Sequence, residues 1–315
     1  MDDGLPASEL PVVPSTGRLP VTVVIPTRNE ERALPATLGT LGAFAEVVVF
    51  DSHSTDGTER IARAWGARFH QRVFDNFADH KNWALDNLEF RTDWVLLLDA
   101  DERIGPDLLA EIAAILHGDR PEVAFAIPRR NVVDGVFLRR AGMYPDYQIR
   151  LIRRGRARYE RRLVHEHMLA DGPVGFLASP LLHEDGKGIR RYLERHVAYA
   201  EMEAVEAFID LHRPAADHGA CALPGPMARR RRLKHWSYRH LPLRFLWVFA
   251  YVYVARLGLL MGRTGLKYCL LRAFYEFKVD LFLAELRNGA SPVAQAYRDL
   301  ILERLGRCPP DWERR

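Results

Sequence analysis

Asp99 and Asp101, separated only by Ala100, are the residues of this chain whose types and spacing best suit chemistry. They follow the apolar run Trp94-Val95-Leu96-Leu97-Leu98, which reads as a strand buried on both faces. Open α/β sheets bind ligands beyond the carboxyl ends of their strands. Two carboxylates at i and i+2 can offer oxygens to one hard cation such as Mg²⁺ or Mn²⁺, and that cation can carry a diphosphate. An acidic turn that merely caps the next helix, opening near Pro106, uses the same residues. Three other polar clusters bear on the choice: Thr27-Arg28-Asn29-Glu30, Asp51 to Asp56, and Asp79 to Lys81.

The elements that must position these clusters alternate. Strands are expected at Val21 to Ile25, Glu46 to Phe50, Ala67 to His70, Trp94 to Leu98 and Val123 to Ile127. Between them the pattern predicts a helix carrying Leu34, Leu38 and Leu41, with Pro35 tolerated in its first turn. A second carries Ile61, Ala62 and Trp65 and stops at Gly66, a third covers Asp79 to Leu88, and a fourth covers Pro106 to Leu116. Repeated βα units predict an α/β fold with a mainly parallel sheet, and all four polar clusters then gather at its ligand-binding edge. No G-x-G-x-x-G follows the first strand, which disfavours a dinucleotide Rossmann site, and no G-x-x-x-x-G-K-[ST] exists, which excludes a P-loop.

Composition fits that fold. The 315 residues are 48% hydrophobic and 27% charged, with a net charge of +4. Cys221, Cys269 and Cys308 are too far apart for a metal motif, which points to free thiols in a reducing compartment. The start, Met1-Asp2-Asp3, lacks the basic and apolar regions of a secretion signal. We expect a loose tail over 1–18, an α/β domain over 19–213 and a helical region over 214–315.

The segments Val24-Ile25-Pro26-Thr27-Arg28-Asn29-Glu30, Val48 to Thr58, Lys81-Asn82-Trp83-Ala84-Leu85 and Leu97 to Glu102 resemble, in order and spacing, the family 2 glycosyltransferases. The likeness continues through Tyr144 to Leu151 and Leu163 to Glu166, in the manner of the branch containing lipopolysaccharide-core glucosyltransferases. It covers about residues 20 to 200. The resemblance implies a GT-A fold: a Rossmann-like, mixed but mainly parallel sheet flanked by helices. It also implies a nucleotide-sugar site. Pro26, Thr27, Arg28 and Glu30 would line the nucleotide. Asp51 and Ser52 would sit at the base or ribose, and Asp56 nearby, where capping its own helix is an equal use. Lys81 would approach the phosphates, Asp99 and Ala100 the ribose or donor sugar, and Asp101 the metal, Mg²⁺ or Mn²⁺. A later histidine often completes such a metal site, and His183 is so placed, with His165 its rival.

Family 2 members invert the anomeric centre, so one carboxylate base is expected. Asp146 stands roughly where the family has a Glu-Asp base motif, although Pro145 here replaces the Glu. Glu166 is the second candidate. Ion pairing offers each a structural use: Asp146 with Arg150 or Arg153, and Glu166 with Arg161 or Arg162. Arg129, Arg130, Arg139 and Arg140 could meet a charged acceptor or form a solvated basic face. His196, on the apolar face of a helix expected over Ile189 to Leu211, reads as a core residue.

After a loop rich in Pro and Gly, the block Arg229-Arg230-Arg231-Arg232 with Lys234 precedes the aromatic run Phe245 to Ala255, broken by Arg256. That run is short of the roughly 20 apolar residues that span a bilayer. With the Leu- and Phe-rich helix near Leu266 to Leu286, it reads as interfacial or re-entrant, docked by the basic block on anionic lipid at the cytoplasmic face of the inner membrane. A buried hairpin or a homo-oligomer interface is the competing use. Apolar aromatic segments beside the block favour lipid over nucleic acid. Together these features predict a metal-dependent inverting transferase that moves a hexose or N-acetylhexosamine from a UDP-sugar to a lipid-linked glycan or lipopolysaccharide-core acceptor. Transfer to polyprenyl phosphate, nucleotidyl transfer and noncatalytic sugar binding are the alternatives.

Overall fold

A computed structural model describes residues 17–118, 120–133, 135–164, 166–184, 188–213 and 225–313, with the side chains of 225–228, 230 and 231 also outside the description. Most of the expected tail, the Pro- and Gly-rich loop, Cys221 and His165 therefore lie outside the described residues.

The chain begins β1 (Leu19–Thr27), α1 (Leu34–Leu38), β2 (Phe44–Asp51), α2 (Thr58–Trp65), β3 (Arg68–Gln71), α3 (Phe77–Asn87) and β4 (Trp94–Leu97). It continues with β5 (Glu102–Ile104), α4 (Pro106–Leu116), β6 (Ala124–Val133), β7 (Val136–Phe137) and β8 (Asp146–Arg153). Then come β9 (Ala157–Tyr159), β10 (Met168–Ala170), β11 (Val174–Phe176), β12 (Leu181–Glu184) and α5 (Gly188–His212). The remaining helices are α6 (Gly225–His240), α7 (Arg244–Ala250), α8 (Gly262–Leu286), α9 (Pro292–Ala296), α10 (Arg298–Leu305) and α11 (Pro310–Glu313).

The main sheet has the order β3-β2-β1-β4-β8-β6-β12-β5, with β7 and β11 also paired to β6. β3, β2, β1 and β4 are parallel neighbours, as the βα repetition predicts. β8 is antiparallel to both β4 and β6, which makes the sheet mixed. Alternate residues of β4 serve opposite layers: Trp94 and Leu96 pack with Leu34, Leu108 and Ile112, while Val95 and Leu97 pack with Ala78, Ala84 and Leu88. Burial on both faces is why this strand is a continuous apolar run. Gly66 ends α2 at φ +92°, the left-handed conformation that favours glycine at this position.

Three features departed from the expected elements. β6 runs on to Val133, well beyond Ile127, because Pro128 to Val133 pair with β8, β12 and β7. α3 starts at Phe77, capped by Asn76, whose side chain accepts from Asp79 N, so Asp79 and Lys81 ride on a helix and not on a strand end. The short strands β5 and β7 carry too few residues to show a period.

A separate apolar core joins α5 to α8, through Ala200, Ala204 and Phe208 on one helix and Tyr275, Val279 and Leu283 on the other. His196 is half-buried there, its ring stacked 3.7 Å from that of Tyr192. α7 continues as a π-helical turn over Tyr251–Ala255, and a 3₁₀ turn at Gly258–Met261 leads into α8. Among the described residues no single helix is long and apolar enough to cross a membrane.

Candidate active site

The loops after β1 and β2 are knitted together along the sheet edge. Asn29 N donates to Ser54 Oγ, Glu30 N to Thr58 Oγ1 and Thr55 N to Asn29 Oδ1, each at 2.8 Å. Asn29 adopts φ +56°, which brings its amide and side chain onto the second loop. Asp56 serves this clamp: Oδ1 accepts from Thr58 N at 3.0 Å and Oδ2 from Glu31 N at 3.1 Å. Asp51 is wholly buried. Its Oδ1 accepts from the Thr27 and Ser54 hydroxyls, and its Oδ2 from Ser54 N and, at 3.3 Å, from Gln71 Nε2. Pro26 is half-buried beside this rigid wall and Arg28 is exposed above it.

Ser52 meets His80. Arg72 Nη1 lies 3.2 Å from His80 Nδ1 and can only donate, so Nδ1 accepts and Nε2–H donates to Ser52 Oγ at 3.2 Å. Burial, helped by the Arg72 charge, pushes this imidazole down to about 4. Phe50 stacks on both His80 and Trp83, and Arg72 lies over Trp83 at 5.4 Å. The result is a flat aromatic and cationic shelf beside the loops.

Lys81 projects from α3 to Glu166, Nζ to Oε1 at 2.9 Å, and lies 4.8 Å from the centre of the Tyr159 ring. Burial would lower its ammonium, but Tyr159, Glu166 and Asp99 outweigh burial and hold it above its usual value. Arg150 joins the cluster from β8. Its Nη2 donates to Asp99 Oδ2 at 2.6 Å and to Glu102 Oε1 at 2.8 Å. Burial would raise Asp99, yet Arg150 and Lys81 hold it well below the ordinary carboxylate range. Burial pushes Glu102 the other way, upward, and Asp99 adds to that push while Arg150 opposes it.

Arg150 reaches these carboxylates because β8 is irregular there. Leu151 pairs with Phe125 and Ile149 with Ala126, which leaves Arg150 as the extra residue of a β-bulge. A bulge re-aims one side chain without disturbing the strands around it. Arg150, Tyr159 and Glu102 are thus site residues that sequence reasoning did not assign. The hints were the places of Arg150 and Glu102 in the family-like stretches Tyr144 to Leu151 and Leu97 to Glu102.

Asp101 stands apart from the Arg150 cluster. The turn that carries it is held by the Thr37 hydroxyl, which donates to Ala100 O at 2.7 Å, and Ala100 is buried. β12 lies between β5 and β6, and His183 pairs with Glu102 on one side and Asn131 on the other. That register delivers His183 to Asp101, Nε2 to Oδ1 at 3.6 Å. On its far side His183 Nδ1 donates to Asn131 Oδ1 at 3.0 Å, so in the neutral ring the Nε2 lone pair faces the carboxylate. Asn131 was not singled out from the sequence; only strand pairing brings it here.

The two base candidates are also paired, with partners other than those expected. Asp146, the first residue of β8, has Oδ2 3.2 Å from Arg129 Nη2, and its side chain keeps 30% of its exposure. Glu166 binds Lys81, not Arg161 or Arg162. Arg161 instead faces Asp79, and Arg162 faces Glu206 and Asp210.

Residues 22–182 match the model of glycosyl transferase family 2. The chain belongs to that family. It is 31% identical over 164 residues to the lipopolysaccharide core biosynthesis glycosyltransferase LpsC of Rhizobium meliloti, across 50% of this chain and 60% of that protein. A TPR repeat-containing protein of Synechococcus elongatus is 27% identical over 206 residues, across 61% of this chain and 48% of the other. The chain thus spans about half to three fifths of the curated relatives it matches. A solved mannosyltransferase of Pyrobaculum calidifontis, in complex with GDP-Man and Mn²⁺, is 17% identical over 86% of this chain and 88% of its own, with a TM-score of 0.49. The family-2 enzyme has the mixed, mostly parallel sheet with flanking helices of a GT-A domain.

Proposed function

We propose that this enzyme transfers a hexose or N-acetylhexosamine, with inversion, from a UDP-sugar to a lipid-linked glycan or lipopolysaccharide-core acceptor, using Mg²⁺ or Mn²⁺. The observation that carries the reading is the pair Asp101 and His183. A lone pair and a carboxylate oxygen turned toward each other at 3.6 Å repel unless a cation or a proton lies between them. Neighbouring ligands of an octahedral Mg²⁺ stand about 3 Å apart, so this pair needs little movement to bind one together. Among the described residues no cluster of three His, Cys, Asp or Glu groups is poised for a metal. The remaining positions fit diphosphate oxygens and water.

A bound cation would supply Lewis-acid stabilisation to the departing diphosphate. The protein's residues do the rest. Lys81 and Arg150 sit beside Asp99 and keep it ionised, so that it can accept hydrogen bonds from ribose or sugar hydroxyls. Trp83, 37% exposed and backed by the buried Phe50 ring, offers a stacking surface to the base. Asp146 takes the proton of the acceptor hydroxyl as its oxygen bonds to the anomeric carbon and the bond to the diphosphate breaks, its electron pair leaving with the phosphate oxygen. Both carboxylates are paired, and Asp146 is preferred because its side chain keeps 30% of its exposure against 10% for Glu166 and its ion pair is the longer, 3.2 against 2.9 Å.

The similarity to LpsC supports the acceptor class in this reading. One observation favours the polyprenyl-phosphate alternative. Arg130 and Arg139 flank the Phe137 ring at 4.6 and 5.3 Å, and neither has a carboxylate partner among the described residues. They are suited to a phosphate, which would need no base. A panel of nucleotide-sugars with purified protein tests both, scoring nucleotide release with and without Mn²⁺. Metal-dependent release of UDP is expected, and release of pyrophosphate would overturn the reading. If Asp146→Asn combined with Glu166→Gln leaves transfer intact, the phosphate acceptor replaces the hydroxyl acceptor.

A further inference from the structure

From Leu233 to Leu281 the chain turns large apolar side chains outward. Trp247, Tyr251 and Val254 are 58%, 54% and 57% exposed, and their spacing places them on one face of α7 and its π-helical extension. Leu260 is 59% exposed at the turn, and Leu266, Leu270 and Phe274 continue the surface along one stripe of α8. The opposite stripe of α8, with Tyr275, Val279 and Leu283, is buried. The exposed stripe is therefore what remains after α8 has packed against α5.

The turn that joins the two faces is tightly built. The segments Arg244–Ala255 and Gly258–Leu286 meet at 67°. A Cβ on Gly258 would lie 2.7 Å from Cys269 Sγ, and one on Gly265 would lie 2.2 Å from Gly258 O. Both glycines are required by this close approach. The bend spreads the apolar residues over one surface and leaves no straight span.

Charge identifies what covers that surface. Residues 218–275 contain eleven Lys or Arg and no Asp or Glu. Arg232, Arg256 and Arg263 are among them, and none has a carboxylate partner among the described residues. Apolar aromatic residues bordered by these three cations, with Glu276 buried and Asp280 closed on Arg244, match the interface of an anionic bilayer. A second protein copy would offer no such excess of negative charge, since this chain is itself basic, with pI about 9.0.

The same hairpin touches the catalytic half at residues 141–143. Ala141 N donates to Arg256 O at 2.9 Å, the Tyr268 hydroxyl lies 2.6 Å from Met143 Sδ, and Ala141, Val252 and Cys269 share a small buried cluster. Residues 141–143 lead directly into Asp146. We propose that the α7–α8 hairpin is a docking surface for an anionic lipid bilayer, and that its contacts at Ala141 and Met143 hold the acceptor loop against that surface. The docking half stands independently; the acceptor role of the loop rests on the proposed transfer reaction.

Flotation of the full chain with phosphatidylglycerol–phosphatidylcholine vesicles tests the docking. The chain should float with them, and its bound fraction should fall at least about tenfold on pure phosphatidylcholine or with Trp247→Glu plus Leu260→Glu. Val73→Glu, an exposed apolar site far from the hairpin in sequence, should leave binding unchanged. Hydrogen exchange then reads the coupling without any need for turnover. Anionic vesicles should slow exchange in 246–275 and also in 139–146, and Tyr268→Phe should lessen the second effect alone. Equal failure to bind both vesicle types would overturn the docking. So would a double variant that binds as well as the parent, or one that instead splits a stable dimer while the parent ignores vesicles. Protection of 246–275 without 139–146 would overturn the coupling. Nucleotide binding with Mn²⁺, measured by calorimetry in the same preparations, tells these failures apart from failure of the transferase reading.

Discussion

In the sheet half, the apolar side chains of β1, β2 and β4 are inside, and Asp101 and Asp146 remain partly open at the crevice. In the helical third, Arg244, Glu276 and Glu203 are inside while Trp247, Val254 and Leu260 are outside. Both regions bury charge, but to different ends. Arg150 draws Asp99 and Glu102 into one cluster and leaves Asp101 and His183 turned to each other. Arg244 is closed on Glu276 and Asp280, and Glu203 on Tyr238 and Tyr275, so the charges buried there are spent inside the fold. Carboxylate charge without a permanent cation partner marks the region we assign to a charged substrate. Unspent apolar surface marks the region we assign to lipid.

The strongest test of this contrast removes that carboxylate charge. Asp101→Ala should lower metal-dependent turnover by at least about a hundredfold, measured as nucleotide release across a Mn²⁺ titration. The thermal midpoint should hardly move, because Asp101 makes no buried ion pair with a permanent cation. A variant that keeps full activity would sink the metal-site reading.

Three of the four polar clusters, and the strand that leads into Asp99 and Asp101, were legible because each is local: an apolar run, a break, and a cluster of hydrogen-bonding residues; the fourth, Asp79 to Lys81, rides on a helix. The sheet's middle was not. β8 enters antiparallel from a distant stretch of sequence, and β12 inserts between β5 and β6. Asn131 and Arg150 acquire their partners through that pairing and through one bulge, which no local period records. His183 was legible as a type of residue in the right order, but its register against Glu102 was not. The buried half of α8 was hidden for a related reason, since its stripe makes sense only against α5.

The next test strikes the buried charge of each half. Arg150→Ala leaves Asp99 and Glu102 facing each other without their shared cation and should destabilise the protein by about 3–5 kcal/mol. Arg244→Ala should cost a similar amount through Glu276 and Asp280. Chemical denaturation measures both. Only the first should also weaken nucleotide binding by calorimetry. Loss of nucleotide binding in both would remove the distinction between charge held for a ligand and charge held for the fold.

A finer test leaves all charges in place. Asn131→Leu removes the acceptor that fixes the His183 tautomer. Partners of this kind are worth about 10–100-fold in metal affinity. The Mn²⁺ concentration for half-maximal turnover should rise by that factor, with kcat at saturating metal largely kept. An unchanged Mn²⁺ requirement would separate His183 from the metal.

The smallest expected effect concerns where acid enters. His80 is buried neutral between Arg72 and Ser52, with its pKa pushed down to about 4 from the usual 6.5. Because the folded value lies below the unfolded one, the unfolded chain binds more protons between pH 6.5 and 4. Stability from this residue is therefore present above pH 6.5 and is lost as pH falls toward 4. Between pH 7 and 5.5 the loss amounts to about 1 kcal/mol. The Arg244–Glu276 pair cannot share this behaviour. Burial works against both charges, yet each partner favours the other's charged form, so Arg244 is held above its usual value and Glu276 below. His80→Gln should flatten the pH dependence of stability over that window, as read from denaturation curves at the two pH values. If instead Glu276→Gln flattens it and His80→Gln does not, acid sensitivity belongs to the helical third, and the contrast drawn between the two buried charge clusters fails.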